Sequence, residues 1–347
     1  MKVLIITDAW FPQVNGVVTT YTNVIAELRK LNLDVEVVHP AFFFSIPLPF
    51  YPEIKAAINP WKVIKLIKRA NADYIHIATE GPLGLLARLY LSHKKIAFTS
   101  AIHTKFPEYL KTHIGFPLSI TYALMRWFHS QSINVLVNTE SHKSELEKRG
   151  FKNLALWSRG IDFDQFSNNN LEVHLKDYLL YVGRVSKEKN IEAFLSLKTN
   201  FEKVVVGDGP DRKKLQKKFP LVKFVGCKSG AELSAWYRNA KVFVFPSKTD
   251  TFGIVMIESL ASGVPVAAYP VTGPLDIIQE GVNGSLNEDL GCAINNAMLI
   301  NGQDCINSAQ AYCWENVAKQ FLNAIIPITP TTITVKDTLI ALNPCEK

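Results

Sequence analysis

The most constraining feature of this 347-residue chain is an alternation of strand-like and helix-like segments that runs its course and then starts again. Lys2–Thr7 (KVLIIT) is a short unbroken apolar run, the pattern of a strand covered on both faces. Val17–Leu31 follows as a helix, with Val17, Val18, Tyr21, Val24, Ile25 and Leu28 on one side. Asp34–His39, Tyr74–Ala78, Ile96–Ala101, Ile133–Asn138 and Leu154–Trp157 read as further strands with helices between them. One of those helices opens at Asn59–Pro60, read as an N-cap and a first-turn proline. From Tyr178 the series restarts, with strands at Tyr178–Val182, Lys203–Val206, Lys223–Val225, Val242–Phe245 and Pro265–Ala268. Such alternation produces a parallel sheet with helices on both faces. Two series in succession predict an α/β chain of two Rossmann-like, doubly wound domains facing each other across a cleft. The junction lies within Gly160–Lys176, which holds the polar run Ser167–Asn170. Domains are expected over 1–165 and 166–305, with 306–347 forming a helix that packs back on the first domain, and a tail.

Composition excludes several classes. Hydrophobic residues make up 48% and charged residues 20%, values that rule out disorder and fibrous repeats. No stretch reaches the roughly 18–20 apolar residues of a membrane span, and no signal-peptide core follows Met1–Lys2. Five cysteines without a CxxC pair are expected to be free thiols, so the sequence predicts a cytoplasmic protein. The net charge of +7 is unevenly distributed. Residues 1–160 carry 19 Lys+Arg against 11 Asp+Glu, or +8, and the remainder is −1. The first half therefore faces something acidic, or carries a solvated basic surface.

In doubly wound domains ligands sit outside the carboxyl ends of the strands, so those loops carry the chemistry. The loop Asp8–Val17 ends at Gly16, at a helix start where backbone amides can approach an anion; Asn15 and Asp8 stand beside it. No GxGxxG is present, which removes the nicotinamide-dinucleotide fingerprint. His103 follows a strand and reads either as a ligand group or as an imidazole satisfied by a carbonyl. Arg184 and Lys189 lie just after another strand, a fork and a point charge suited to a diphosphate without a metal. The densest block is Pro246–Glu258. Asp250 precedes a helix read as Phe252–Ala261, and Glu258 lies on its second turn, so two acids can take separate hydroxyls of a polyhydroxylated ligand.

These motifs together resemble the retaining GT-B nucleotide-sugar glycosyltransferases of family four, which include bacterial lipid mannosyl- and glucosyltransferases. The resemblance spans residues 1 to about 325. It rests on Asp8…Pro12…Gly16, His103-Thr104 with Phe106-Pro107, Arg159-Gly160-Ile161-Asp162 with Phe166, Gly183-Arg184…Lys189, and Gly207-Asp208-Gly209-Pro210. It continues through Phe224-Val225-Gly226, Pro246-Ser247…Phe252-Gly253…Glu258, and Ala261…Gly263-Val264-Pro265-Val266. The resemblance implies transfer of a hexosyl unit from a UDP- or GDP-sugar to a hydroxyl acceptor, lipid or cell-envelope glycan, with no metal or other cofactor. It implies that Arg184 and Lys189 bind the donor diphosphate, that Glu258 holds the ribose and that Asp250 contacts sugar hydroxyls, helped by Thr251 and the amides of Phe252, Gly253 and Ile254. It further implies that His103 touches the sugar, that Gly16 lies beside the phosphates, and that Val225, Gly226, Cys227 and Lys228 meet the base. Asp250 departs from the family's usual Glu by one methylene, ~1.5 Å, which bears on donor choice. The DxD triplet Asp162-Phe163-Asp164 reads as part of the interdomain motif, not as a metal site.

The acceptor side is assigned Asp8, Asn15 and Tyr51 with the cations Lys62, Lys65, Lys68 and Arg69, which suit an anionic membrane surface on the inner face of the cytoplasmic membrane. The same stretch also reads as a helix with solvated lysines, and no nucleic-acid motif accompanies the charge. Two other functions fit parts of the pattern: a nucleotide-sugar epimerase and a catalytically weak nucleotide-sugar-binding protein.

Overall fold

The computed structural model describes residues 1–13, 15–48, 51–103, 106–108, 111, 115–167, 175, 177–248, 250 and 252–325; at 47, 48 and 51–56 it describes the backbone alone. Two six-stranded parallel sheets form the chain. The first is ordered β2-β1-β5-β6-β7-β8, from β1 (Lys2–Ile6), β2 (Asp34–Val38), β5 (Tyr74–Ile77), β6 (Thr99–Ile102), β7 (Val135–Val137) and β8 (Leu154–Leu156). The second is ordered β11-β10-β9-β12-β13-β14, from β9 (Tyr178–Val182), β10 (Lys203–Val206), β11 (Lys223–Gly226), β12 (Ala240–Phe245), β13 (Val266–Ala268) and β14 (Gly284–Leu286). An antiparallel hairpin of β3 (Ser45–Leu48) and β4 (Tyr51–Ala57) is inserted in the first half. The two central strands are buried as their composition requires: β9 (YLLYV) is buried along its whole length, and β1 has only Lys2 at its edge partly exposed.

Helices cover both faces of the first sheet. α1 (Gly16–Lys30) lies on one face, while α2 (Lys62–Ala70), α3 (Pro82–Lys94) and α4 (Leu118–His129) contribute to the core on the other. In the second half, α5 (Gly230–Arg238) and α6 (Ile254–Ala261) pack beside β12. The last helix, α7 (Trp314–Ile325), leaves the second sheet and returns to the first. Its Val317, Phe321 and Leu322 share a core with Tyr21, Val24 and Trp157. The Phe321 ring lies 5.0 Å from that of Trp157, whose Nε1 donates to the Val317 carbonyl at 3.2 Å. A bridge between Ile161 and Cys313 joins the outgoing and returning crossovers. A second tie between the sheets is the Asp276 carboxylate, which accepts the Ser141 amide at 2.8 Å.

The structure differs from the sequence-based expectation at three points. The β3–β4 hairpin and β14 are additional strands. Asn59 does not cap α2, whose N-cap position is Trp61; its Oδ1 accepts the Phe44 amide at 2.9 Å and so closes the hairpin onto the chain before α2. The helix read as starting at Phe252 starts at Ile254, because Gly253 takes the left-handed conformation at φ 81°. Thr251, Cys345 and the 326–347 tail lie outside the described residues. The four described cysteines, Cys227, Cys292, Cys305 and Cys313, are free thiols.

Phe321 is fully buried in the contact that returns the chain to the first sheet. Phe321→Ala is expected to cost about 3–5 kcal/mol of stability, measured by urea unfolding followed through tryptophan fluorescence.

Candidate active site

In the second sheet the strand order reverses beside β9, with β10 on one side and β12 on the other. Crossovers leave in opposite directions at such a point, which opens a crevice at the carboxyl ends of the strands. The loops after β9 and β12 carry Arg184, Lys189 and Asp250. Asn190 Nδ2 ties the two loops by donating to the Pro246 carbonyl at 3.0 Å. The β9 loop is also pinned from below. Gly207 lets it approach backbone to backbone, since a Cβ there would sit 1.9 Å from the Gly183 carbonyl oxygen. The Val185 amide then donates to the Asp208 carbonyl at 2.9 Å, and the Tyr181 hydroxyl donates to the Arg184 carbonyl at 2.7 Å.

The structure brings Lys189 and Asp250 together in an ion pair, both side chains partly accessible. Arg184 is exposed on the loop after β9. Gly253 stands where a side chain would strike Met256 Cε at 2.8 Å and Phe245 Cζ at 3.0 Å, so the backbone turns sharply into α6. Ile254 opens that helix and is partly exposed, and Phe252 is buried behind it. Glu258, one turn on, accepts a hydrogen bond from the Tyr237 hydroxyl at 2.9 Å. Burial pushes the Glu258 carboxyl up to about 7, and the Tyr237 hydroxyl acts in the opposite direction.

Val225 and Gly226 end β11. The Gly226 carbonyl accepts the Gly207 amide at 2.8 Å, and the Arg212 guanidinium lies over its α-carbon while pairing with Asp208 at 3.1 Å. Cys227 is exposed, and Lys228 pairs with Glu232 on α5.

In the first domain Gly16 opens α1 onto free space, with nothing within 4 Å of where a Cβ would be. The Asn15 side chain accepts the Val17 and Val18 amides at 3.0 Å each, so it caps α1. Asp8 is committed to the start of α3, accepting the Leu83 and Gly84 amides at 2.9 and 3.2 Å and the Thr79 hydroxyl at 3.1 Å. Burial raises its carboxyl above the ordinary range despite those bonds. His103 stands at the end of β6 with its ring turned inward. Its Nε2 is 3.2 Å from the Tyr21 hydroxyl, and its ring meets that of Trp157 edge-on at 5.8 Å. Burial, then the neighbouring Arg159 and His76, holds the imidazole well below its usual range.

Lys62, Lys65, Lys68 and Arg69 are exposed on α2, where Lys62 lies over the Phe44 ring at 5.0 Å and Lys68 over Tyr90 at 5.9 Å. Their helix shares a core with α3 and the first sheet rather than with the donor-side crevice. Tyr51 lies in β4. Asp162 accepts the Gln165 amide at 3.2 Å and so serves a one-turn helix at the interdomain crossing.

Arg159 was legible only as part of an interdomain motif, yet it reaches the start of α1 and the residue after β6. Its guanidinium donates to the Thr20 hydroxyl at 2.8 Å and to the Gly16 and His103 carbonyls at 3.4 and 3.5 Å. It makes no ion pair among the described residues, and burial lowers it to about 10. Tyr237 and Tyr21 likewise escape sequence reading, because a buried tyrosine on a helix is indistinguishable there from a core residue.

Comparison with known proteins fits this geometry. Residues 14–165 match the model described as "Glycosyltransferase Family 4", and residues 162–289 match "Glycosyl transferases group 1". The chain belongs to the family-four glycosyltransferases. It is 28% identical to a GDP-mannose-dependent alpha-mannosyltransferase of Corynebacterium glutamicum, over 82% of this chain and 76% of that protein. It is 27% identical to an alpha-monoglucosyldiacylglycerol synthase of Streptococcus pneumoniae, over 86% and 78%. The solved structure of Anabaena HepE in complex with UDP superposes with a TM-score of 0.68 at 16% identity, covering 93% of this chain and 99% of that one, and shares the fold. The protein is thus a hexosyl-transferring enzyme of the GT-B fold.

The raised Glu258 carboxyl sets the sign of a pH effect. Its protonated form favours folding; that contribution is complete below about pH 4.5, the ordinary carboxyl value, and is lost as pH rises through about 7. Ionising it at pH 8 costs about 3 kcal/mol. Glu258→Gln should therefore raise Tm relative to wild type at pH 8 and leave it nearly unchanged at pH 5; an equal difference at both pH values would contradict the assignment.

Proposed function

We propose that this glycosyltransferase moves a hexosyl unit from a UDP- or GDP-sugar to a hydroxyl of a lipid or cell-envelope glycan, with retention of configuration and without a metal. The observation that carries the reading is the meeting of Lys189 and Asp250 at the switch point of the second sheet, on the loops that also carry Arg184 and lead into the helix of Glu258. The donor diphosphate takes over Lys189 and Arg184, which frees Asp250 for the sugar hydroxyls. Glu258 accepts the ribose hydroxyls, the Phe252–Ile254 backbone supports the sugar, and residues 225–228 border the base. The acceptor hydroxyl attacks the anomeric carbon on the face from which the diphosphate departs. The carbon–oxygen bond to the diphosphate breaks, and a diphosphate oxygen takes the acceptor proton. The relatives named for GDP-mannose make it the first donor to test.

The basic first domain supports the lipid side of this reading. α2, α3 and α4 together contain no acidic residue. They share one core on the same face of the sheet, and their outward positions include Trp61, Leu85, Leu89, Ile120, Leu124 and Trp127, all at least 37% exposed, beside Lys62, Lys65 and Lys68. Apolar groups at the level of cations suit an anionic bilayer surface, with each nearby Lys or Arg worth about 1 kcal/mol. No described helix is long and apolar enough to cross a membrane.

Transfer is tested by incubating GDP-mannose, UDP-glucose and related donors with lipid extracts in EDTA and determining the anomeric configuration of the product by NMR. An α-linked product from an α-linked donor is expected, and an inverted or metal-dependent product would overturn the reading. Arg184→Ala should lower turnover on the order of 10²-fold. The triple Lys62/Lys65/Lys68→Gln variant should weaken binding to phosphatidylglycerol-containing vesicles about 10²-fold while leaving nucleotide affinity unchanged.

A further inference from the structure

His103 ends a single hydrogen-bonded line of four buried side chains. Thr99, His76 and Tyr21 are fully buried and His103 is 8% exposed. His76 Nδ1 lies 2.8 Å from Thr99 Oγ1, its Nε2 lies 2.7 Å from the Tyr21 hydroxyl, and that hydroxyl lies 3.2 Å from His103 Nε2. Tyr21 comes from α1, His76 from β5, Thr99 from the start of β6 and His103 from the residue after its end.

The distances give the line a direction. Tyr21 has one proton and two imidazole neighbours. A hydroxyl donor makes the shorter bond and an N–H donor the longer one, so Tyr21 donates to His76 at 2.7 Å and His103 Nε2–H donates to the Tyr21 oxygen at 3.2 Å. His76 then carries its proton on Nδ1 and donates to Thr99. In this arrangement every bonded atom has the partner it needs. The opposite direction would put the His103 proton on Nδ1, a buried atom with no partner inside hydrogen-bond distance, the Ala78 carbonyl being the ring's remaining backbone neighbour. An orphaned N–H is rarer and costlier than a bare lone pair. The rest of the residue is also held, since its carbonyl accepts Asn138 Nδ2 at 3.2 Å and Arg159 Nη2 at 3.5 Å.

We propose that Thr99, His76 and Tyr21 form a buried relay of positioning residues that fixes the His103 imidazole, with its proton on Nε2 and with Nδ1 as the acceptor. The inference rests on the reading that His103 meets the donor sugar. It assigns the relay to orienting the one first-domain side chain that the family pattern directs at the sugar. A relay that sets orientation affects turnover more than donor affinity, because a misplaced group of this kind costs the reaction geometry.

The test uses the full-length protein labelled with 15N-histidine. Long-range proton–nitrogen correlation reads which ring nitrogen of His103 is protonated, and the His103→Gln variant identifies the signal. Wild type is expected to show one form, with the proton on Nε2. Tyr21→Phe keeps the ring packed on Trp157 and Phe321 and removes only the hydroxyl. It should split or shift the His103 nitrogens and lower kcat about tenfold or more, with the donor KM and the nucleotide Kd within about twofold of wild type. If Tyr21→Phe does not fold, the isosteric Thr99→Val at the far end of the relay decides, with the same signs and smaller effects. A proton on Nδ1 in wild type overturns the proposal, as does a folded variant with unchanged His103 signals and turnover. If wild type transfers no sugar from any donor, the functional reading fails, while the nitrogen signals still decide the relay.

Discussion

The parallel pairing of β9 with both β10 and β12 is the constraint on which ligand chemistry in this chain depends. Each strand of the second sheet ends at the same edge, and the reversal beside β9 separates the two loops that follow it and β12. A cation-bearing loop and an acid-bearing loop are thereby brought face to face without either being buried. The site needs no side chain to travel far: Lys189 and Asp250 already meet across the gap. The ordering of the crevice comes from beneath it, where backbone packs on backbone at Gly207 and Gly183 and no side chain can intrude.

The first domain builds the wall around His103 by a different physical device. Instead of an exposed ion pair it uses buried polar groups that satisfy one another: Asp8 on the start of α3, Arg159 on Thr20 and two carbonyls, and the line from Thr99 to His103. Groups buried this way must be paired to be tolerated, and the pairing makes the wall rigid. α7 contributes to the same wall, since Phe321 packs edge-on against both Tyr21 and His76 at 6.3 and 5.0 Å. The returning helix therefore links the crossover from the second sheet to the groups behind His103.

Much of this was legible in the sequence because strands buried on both faces announce themselves as unbroken apolar runs, as KVLII and YLLYV do. The restart at Tyr178 gave the two-sheet architecture, and the loops after those strands pointed to Arg184, Lys189, Asp250 and Glu258. The hairpin was hidden because its prolines, Pro47 and Pro52, interrupt any period-2 alternation. β14 has three residues, Gly284-Ser285-Leu286, too few for any period to show. Asn59 was misassigned because an asparagine before a proline suits both a helix cap and a side-chain bond to a distant amide, and only the fold places Phe44 beside it. The relay was invisible for the same reason. Tyr21 and His76 are 55 residues apart, and Tyr21 and His103 are 82 apart, so no local pattern joins them.

The central claim is that the second domain holds a nucleoside diphosphate at the β9/β12 crevice through Arg184, Lys189 and Glu258. Isothermal calorimetry with GDP and UDP in EDTA tests it most directly, run on wild type and on Glu258→Ala. Micromolar binding of one nucleotide to wild type, lost in Glu258→Ala, is the predicted result. Binding of neither nucleotide, or equal binding to both proteins, would contradict the account.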